Sequence, residues 1–303
     1  MDPVQRAVMT GAGMVQQVIN GLNLGCLYAL IAIGYTLVYG ILRLINFAHG
    51  DVLMVATYFA YFGVAQFALP WWLAALVALP LTALLGVAID RGAYLPVRRA
   101  PRISALIAAI GVSFLLENLG LVVFGGRPKA FYRPPGLGEI VEWGGVRILT
   151  LSLWTLAVTL VILTLVFVII YKTRIGLAMR AVSRDMETVS LMGVPVNRVI
   201  SLTFALGSAL AAAGGILWAM KYPQINPLMG IIPGLKAFVA AVLGGIGNVF
   251  GAVAGGLILG ILEILLIAWL PSLAGYRDAL AFVLLISILL VRPTGLFGEK
   301  LSG

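Results

Sequence analysis

This chain of 303 residues is 62% hydrophobic and only 10% charged, with a net charge of +9 and a mean hydropathy of +1.09. A soluble domain of this length needs far more polar surface, so the composition excludes a soluble globular protein and indicates one polytopic membrane domain over residues 1–303. The basic residues lack interleaved aromatic residues, which argues against nucleic-acid binding and suits contact with an anionic lipid bilayer.

Apolar runs of spanning length predict an all-α membrane protein. They cover residues 14–39, 52–67, 71–89, 103–124, 148–171, 200–220, 250–270 and 278–291. In the first run Gly21, Gly25 and Ala29 recur at every fourth position, the spacing that lets two helices approach closely in lipid. The sixth run repeats this spacing, so we expect close helix contacts at both runs.

A polar segment, Arg43–Asp51, separates the first two runs and contains Asn46, the only histidine (His49) and Asp51. One interpretation makes these side chains part of a translocation path or a gate. The other is a helix cap and turn at the membrane surface, because His-Gly-Asp before an apolar run suits a helix N-terminus. The sequence alone leaves both interpretations open.

The charged loops predict the orientation of the chain. Residues 90–102 carry four arginines, among them Arg99 and Arg102, and residues 172–199 are also rich in arginine, whereas residues 125–147 mix acids and bases. Because positively charged loops favour the cytoplasmic side, we expect the two arginine-rich loops and the C-terminus inside. With nine crossings, the N-terminus then lies outside.

The longest polar interruption, residues 173–198, contains signals for a short helix. Ser183 can cap its N-terminus, and Asp185 and Glu187 fall in the first turn, where the helix dipole favours acids. Gly193 supplies a left-handed exit. The pattern predicts a helix of about two turns at the membrane surface.

The side chains of this helix indicate docking to another protein. Met186 and Val189 align on one side, but Leu191 falls beside Arg184, so the apolar residues do not form the single stripe expected of a helix that floats on lipid. A helix that inserts into a cleft on a partner can be apolar on more than one side. The alternative is a solvated basic loop that obeys the positive-inside rule.

A glycine-rich region follows the sixth run. Residues 235–246 are too few to cross a bilayer as one helix, so we predict a half-helix, a break at residues 244–248 and then a full helix. Gly245, Gly247 and Asn248 lie in the break and are candidate residues of a translocation path. The fold therefore has eight or nine transmembrane segments, depending on whether the half-helix spans.

Carboxylates inside the predicted spans are further candidates for a path or a gate. Glu117, with its neighbour Asn118, lies in the fourth run, and Glu263 lies in the run that follows the glycine-rich break. A carboxylate at this depth is costly, so we expect each glutamate to face protein or an internal aqueous path and not lipid. The alternative role is a structural hydrogen bond between helices, and glutamine would then leave transport close to normal.

The sequence shows no catalytic constellation. One histidine and one cysteine exclude zinc clusters and Cys–His pairs within this chain, and there is no GxxxxGK[ST] motif for a P-loop. We therefore expect a transport subunit and not an enzyme, with no metal and no cofactor on this chain. If ATP drives transport, ATP and Mg²⁺ bind to a separate subunit.

Three blocks of sequence carry a resemblance to a known family. They are GLNLGCLYALIAIGYTLVYGILRLINFAHGDVLMVATY at 21–58, GLAMRAVSRDMETVSLMGVPVNRV at 176–199 and VAAVLGGIGNVFGAVAGGLILGILE at 239–263. The chain resembles the branched-chain amino acid ABC transporter permeases, specifically the shorter of their two membrane subunits. The resemblance implies the ABC importer permease fold and a multi-pass protein of the bacterial cytoplasmic (inner) membrane.

The resemblance also implies partners. These are a second homologous permease subunit, two cytoplasmic ATP-binding subunits and an extracytoplasmic binding protein that delivers leucine, isoleucine or valine. Residues Ser183–Gly193 would be the coupling helix that docks into an ATP-binding subunit. Related permeases take urea, short amides or other amino acids. A self-sufficient channel or secondary transporter is the alternative from a different class, but a docking helix fits only the importer.

Overall fold

The computed structural model describes residues 11–98 and 100–298, without the side chain of Arg102, so Arg99 of the first arginine-rich loop lies outside these residues. The helices are α1 (Gly11–Leu42), α2 (His49–Ala65), α3 (Trp71–Ile89), α4 (Arg102–Phe124), α5 (Thr150–Lys172), α6 (Arg174–Arg184), α7 (Met186–Leu191), α8 (Val196–Lys221), α9 (Ile231–Gly244), α10 (Val249–Trp269) and α11 (Arg277–Val291). A π-helical segment, Asp90–Tyr94, and a final turn, Leu95–Val97, extend α3, and a 3-10 turn, Pro271–Tyr276, precedes α11.

Four short strands accompany the helices in the described ranges. They are β1 (Lys129–Ala130), β2 (Ile140–Trp143), β3 (Val146–Leu149) and β4 (Gln224–Ile225). β2 and β3 form an antiparallel hairpin, and β1 pairs antiparallel with β4. The predicted all-α membrane fold is confirmed, and these strands only close loops at the end of the bundle that holds the hairpin.

Nine helices correspond to the predicted apolar runs. Over the residues that the structure describes, seven are long and apolar enough to cross a membrane. The last of the seven is α11 together with the 3-10 turn before it, Pro271–Val291, with 21 residues. The two that fall short are α2, with 17 residues, and α9, with 14 residues. This gives seven full-length candidates where the sequence predicted eight or nine spans, because two of the predicted runs form shorter helices.

Helix α1 is the centre of the bundle, and small residues determine how closely its neighbours approach. A Cβ atom added to Gly25 would lie 2.7 Å from the Cα of Leu257 in α10. On another part of α1, a Cβ on Gly34 would lie 2.9 Å from the carbonyl oxygen of Gly207 in α8. Backbones at this distance leave no room for a side chain, so the small-residue spacing predicted a real contact on both helices.

The predicted break in the glycine-rich region separates α9 from α10. Gly245 and Gly247 have φ angles of 108° and 96°, a backbone conformation that glycine adopts without strain. Asn248 caps α10, since its side-chain oxygen accepts a hydrogen bond from the Gly251 N–H at 3.1 Å. Only part of the break is interior, because Gly245 is buried and Gly247 is exposed.

The loop between α5 and α8 folds as two consecutive helices, α6 and α7. Thr173 caps α6 and Asp185 caps α7, whereas Ser183 lies in the last turn of α6 and donates its hydroxyl hydrogen bond to the Arg180 carbonyl. The prediction that Ser183 caps the short helix is therefore wrong. Gly193, with φ of 80°, ends the segment as predicted.

Candidate functional site

Helix α7 lies on the side of the molecule where α5 ends and α8 begins, and Asp185 caps its N-terminus. The Asp185 carboxylate accepts hydrogen bonds from the backbone N–H groups of Glu187 at 3.0 Å and Thr188 at 3.1 Å, and from the Thr188 hydroxyl. The Thr188 side chain and these N–H groups lower the pKa of Asp185, since they favour the ionised carboxylate. The cap therefore holds the first turn of α7 at neutral pH.

The residues predicted for docking divide between two sides of α7. Leu191 is 84% exposed and the following Met192, which sequence reasoning missed, is 77% exposed. Val189 is buried against the rest of the chain, so the expectation that it fills a partner's groove is wrong. Glu187 is exposed as well. The exposed surface of α7 thus consists of the apolar side chains of Leu191 and Met192, the apolar tip, and of the Glu187 carboxylate. The buried Val189 packs α7 against the rest of the chain.

The two remaining members of the predicted coupling helix lie on either side of Asp185. Arg184 is exposed and ends α6, and Met186 is half-buried and begins α7. The predicted segment thus covers the junction of two helices and not one continuous helix. The reason is that the extended backbone of Asp185, with φ of −152° and ψ of 104°, interrupts the helical hydrogen bonding.

An ion pair in the extension of α3 is hydrogen-bonded to the start of α8. Asp90 accepts from Arg98 at 2.7 Å and from the Ser201 hydroxyl at 2.7 Å, and Arg98 also donates to Asn197 at 2.7 Å. Asp90 is buried, so these donors satisfy a carboxylate that would otherwise be costly. Sequence reasoning missed this network, although an aspartate at the very end of an apolar run was a visible signal.

A cavity of about 120 Å³ lies between α1, the start of α2, α4 and the start of α9. It brings together two of the predicted path residues, Asp51 and Glu117. Asp51 is 3% exposed, and one of its oxygens accepts a hydrogen bond from the Ser113 hydroxyl. Glu117, half-buried, faces the same space from the next turn of α4. Two acidic side chains, Asp51 and Glu117, therefore line this cavity.

His49 and Asn46 lie near the cavity but serve as contacts between helices. His49 is 1% exposed, and its Nε2 atom lies 3.2 Å from the carbonyl oxygen of Ile31 in α1. Asn46, also buried, accepts a hydrogen bond from the Tyr94 hydroxyl at 2.9 Å. A cap cluster at the membrane surface is therefore wrong, since α2 begins against the interior of α1 and its N-cap, Ala48, makes no side-chain cap bond.

The other predicted path residues lie elsewhere. Asn118 is exposed and donates to the Phe114 carbonyl one turn earlier in its own helix. Gly245, Gly247 and Asn248 lie at the break, where Asn248 donates to the Phe297 carbonyl at 2.9 Å. The segment near the end of the described chain closes over this break through further backbone bonds from residues 296–297 to residues 243–244, at 3.0 and 2.9 Å.

Glu263 belongs to a buried charge cluster and faces protein, as expected. Its oxygens accept from Lys236 at 2.7 Å and from the Tyr28 hydroxyl at 2.9 Å. Lys236, itself buried, also lies 2.6 Å from Asp278, and Arg277 approaches Glu263 at 4.0 Å. Sequence reasoning missed Lys236, although a single lysine in an apolar half-helix was a signal that its partner lay inside the protein.

Comparisons with known proteins agree with this architecture. The family described as "Branched-chain amino acid transport system / permease component" matches residues 17–289. The chain is 42% identical over 297 residues to the high-affinity branched-chain amino acid transport system permease protein LivH of Escherichia coli K12, covering 94% of this chain and 96% of that protein.

Two further relatives show the range of the similarity. BraD, the corresponding permease protein of Pseudomonas aeruginosa, is 42% identical over 299 residues, covering 94% of this chain and 96% of that protein. The ribose import permease protein RbsC of Haemophilus influenzae is 26% identical over 299 residues, covering 95% and 88%. By its family match and by its identity over nearly its whole length, this chain belongs to the branched-chain amino acid transport system permease family.

Proposed function

We propose that this chain is one of the two membrane subunits of an ATP-driven importer in the bacterial inner membrane, and that its substrates are leucine, isoleucine and valine. The family supports this role, since a permease component works with other components. The substrate follows the names of the LivH and BraD relatives, which are 42% identical to this chain. The proposed partners are a second permease subunit, two cytoplasmic ATPases that bind ATP and Mg²⁺, and an extracytoplasmic binding protein.

The observation that carries the proposal is the exposed tip of α7. Leu191 and Met192 stand out from a helix that is capped at its start by Asp185 and stopped by Gly193. Exposed large apolar side chains on a polar surface loop mark an interaction site, and methionine adapts well to a groove on a partner. A short helix fixed at both ends can pass a displacement of that partner to α5 and α8.

Close contacts hold α6 and α7 against the rest of the chain. Val189 anchors α7, and the guanidinium of Arg180 in α6 lies 5.2 Å from the centre of the Tyr171 ring at the end of α5. Gly176, in the first turn of α6, lies so close to α5 that an added Cβ would lie 2.1 Å from the Ile170 carbonyl oxygen. The two surface helices are therefore held against the membrane helices, which suits the transmission of motion.

Reconstitution tests the proposal. The complex of this chain with its second permease subunit, both ATPases and the binding protein is placed in proteoliposomes, and uptake of radiolabelled L-leucine, L-isoleucine and L-valine is measured. We expect uptake only with ATP and Mg²⁺ on the ATPase side. Uptake by this chain alone, without ATP, would identify a channel or a secondary transporter instead, and uptake of urea, a short amide or ribose in place of these amino acids would reassign the substrate.

A further inference from the structure

Two helices begin in the interior of the bundle, beside the cavity. The first residue of α2, His49, contacts Ile31 of α1, which precedes the end of α1 at Leu42 by eleven residues. At 1.5 Å per residue this is about 16 Å, or about half of a 30 Å hydrocarbon core. The start of α9 meets the start of α2 at this depth, since a Cβ on Gly230 would lie 2.0 Å from the Gly50 carbonyl oxygen.

Helices that start inside a membrane protein direct their N–H ends into the space before them. In transporters, such interrupted helices receive the anionic group of a substrate at the positive end of the helix dipole. Gly230, Ile231 and Gly234 at the start of α9 line the cavity, as does Gly50 at the start of α2. The Ile231 N–H bonds to the Leu228 carbonyl at 3.3 Å and the Gly234 N–H to the Gly230 carbonyl at 2.9 Å, whereas the described residues give the Gly230 N–H no backbone acceptor. The Asp51 carboxylate already offsets the positive end of the α2 dipole. The positive end of the α9 dipole is therefore the one that remains for an anionic group of a ligand.

A buried hydroxyl faces the same space. Tyr35 lines the cavity, is 5% exposed and lies against the backbone of Gly50. The Tyr35 hydroxyl oxygen accepts a hydrogen bond from the Gly50 N–H, and the described residues provide no acceptor for the hydroxyl proton. A buried donor without an acceptor is unfavourable, so this proton indicates a ligand that brings an acceptor of its own.

The opposite wall of the cavity is acidic. Asp51 has Ser113 as a donor, but Glu117 has no hydrogen-bond or ion-pair partner within the described part of the chain. Two carboxylates at this depth without a basic side chain in the cavity wall favour a cation between them. The remaining wall is apolar, with Phe47, Leu235 and Phe238.

We propose that this cavity binds a zwitterionic α-amino acid during transport. Its ammonium group lies against Asp51 and Glu117, its carboxylate lies at the start of α9 between the Gly230 N–H and the Tyr35 hydroxyl, and its apolar side chain lies against the phenylalanine and leucine side chains of the wall. The cavity has room for several water molecules, so a small solute fits after displacing them. This inference rests on the proposed import of amino acids and assigns the residues that recognise the substrate.

The test compares Glu117→Gln with Glu139→Gln in the reconstituted complex. Glu139 is an exposed carboxylate beside the hairpin and serves as the matched control. Because the Glu117 carboxylate has no hydrogen-bond or ion-pair partner within residues 11–98 and 100–298, glutamine there breaks no such bond among them. We expect Glu117→Gln to lower ATP-driven uptake of L-leucine by roughly tenfold or more, as for the loss of a charged hydrogen bond, with unchanged assembly. Glu139→Gln should match the unmodified complex.

Two more variants separate recognition from folding. Asp51→Asn keeps an acceptor for the Ser113 hydroxyl and should also lower uptake, whereas Tyr35→Phe removes only the hydroxyl and should raise the leucine concentration needed for half-maximal uptake. ATP hydrolysis stimulated by the loaded binding protein should persist in both. Wild-type uptake in Glu117→Gln and Tyr35→Phe would overturn the inference and leave the proposed function intact.

A metal cation is the other possible occupant of the acidic wall. Uptake is therefore repeated with all sodium replaced by choline, and we expect no change. Sodium dependence that disappears in Glu117→Gln would show that the carboxylates hold a metal ion, and this would overturn the assignment to the ammonium group. If the unmodified complex fails to take up L-leucine with ATP, the proposed function itself has failed.

Discussion

Replacing Gly260 with alanine is expected to destabilise the protein by about 1–3 kcal/mol, because an added methyl group meets backbone that cannot move aside. A Cβ at Gly260 would lie 2.3 Å from the amide nitrogen of Gly25 and 2.4 Å from its Cα atom. Both atoms belong to the centre of α1, so α10 must move outward and lose packing along the whole contact. The measurement is the free energy of unfolding in a denaturant titration in mixed micelles.

Gly111→Ala is the matched control for this prediction. Gly111 is also a helical glycine, but it lies on α4 where a Cβ would have nothing within 4 Å. We expect no destabilisation there, and a gain of up to about 1 kcal/mol from the better helix propensity of alanine. Equal free energies of unfolding for the two variants would contradict the close approach of α1 and α10.

Glu263→Gln is expected to cost about 3 kcal/mol, because it removes the negative partner of a buried cation. Lys236 and Glu263 are both nearly inaccessible and lie 2.7 Å apart. Asp278 remains 2.6 Å from Lys236, which holds the expected loss near the lower end of the range for broken buried pairs. The sequence analysis expected that glutamine leaves transport close to normal if Glu263 is structural. The buried ion pair with Lys236 replaces that expectation with a loss of stability.

An exposed ion pair provides the control for Glu263→Gln. Glu142 and Arg147 lie 2.9 Å apart in the β2–β3 hairpin, with both side chains about two-thirds exposed. Glu142→Gln should change the free energy of unfolding by less than about 1 kcal/mol, since water screens such pairs. Lys236→Met combined with Glu263→Gln removes the uncompensated cation, keeps an acceptor for the Tyr28 hydroxyl and leaves Asp278 beside Arg277. If this double variant is less stable than Glu263→Gln alone, the cost does not come from an uncompensated charge.

The helices and the break were predictable because their signals are local. Run length and hydropathy define the bounds of α3 and α4 within one residue, and the glycines at 245 and 247 mark a break that the backbone then adopts. Small-residue spacing on α1 also predicted a close contact. The spacing alone could not identify α10 as the helix that contacts Gly25, because all the long helices of this sequence are apolar and several of them carry glycine.

Local sequence signals did not predict how deep a polar segment lies in the bundle, or which groups its polar side chains contact. The segment Arg43–Asp51 reads as a surface turn, yet it folds back so that His49 meets the interior of α1, and only tertiary packing decides this. At the coupling segment, Ser183 and Asp185 are both good caps two residues apart. Asp185 is the cap because α6, which the sequence analysis did not predict, already includes Ser183.

The most direct test of the central claim, that α7 couples ATP hydrolysis to transport, is the effect of Ser190→Pro on ATP-driven L-leucine uptake by the reconstituted complex. Ser190 is exposed inside α7, so proline there removes a helical N–H and clashes with the preceding turn, at about 3 kcal/mol, without touching a buried contact. Ser190→Ala is the control, because alanine at this exposed position keeps the backbone N–H and favours the helix. We expect Ser190→Pro to reduce uptake to near background while the amount of inserted protein stays unchanged, and Ser190→Ala to retain most of it. Full coupled uptake in Ser190→Pro would contradict the account and leave α7 as a surface loop.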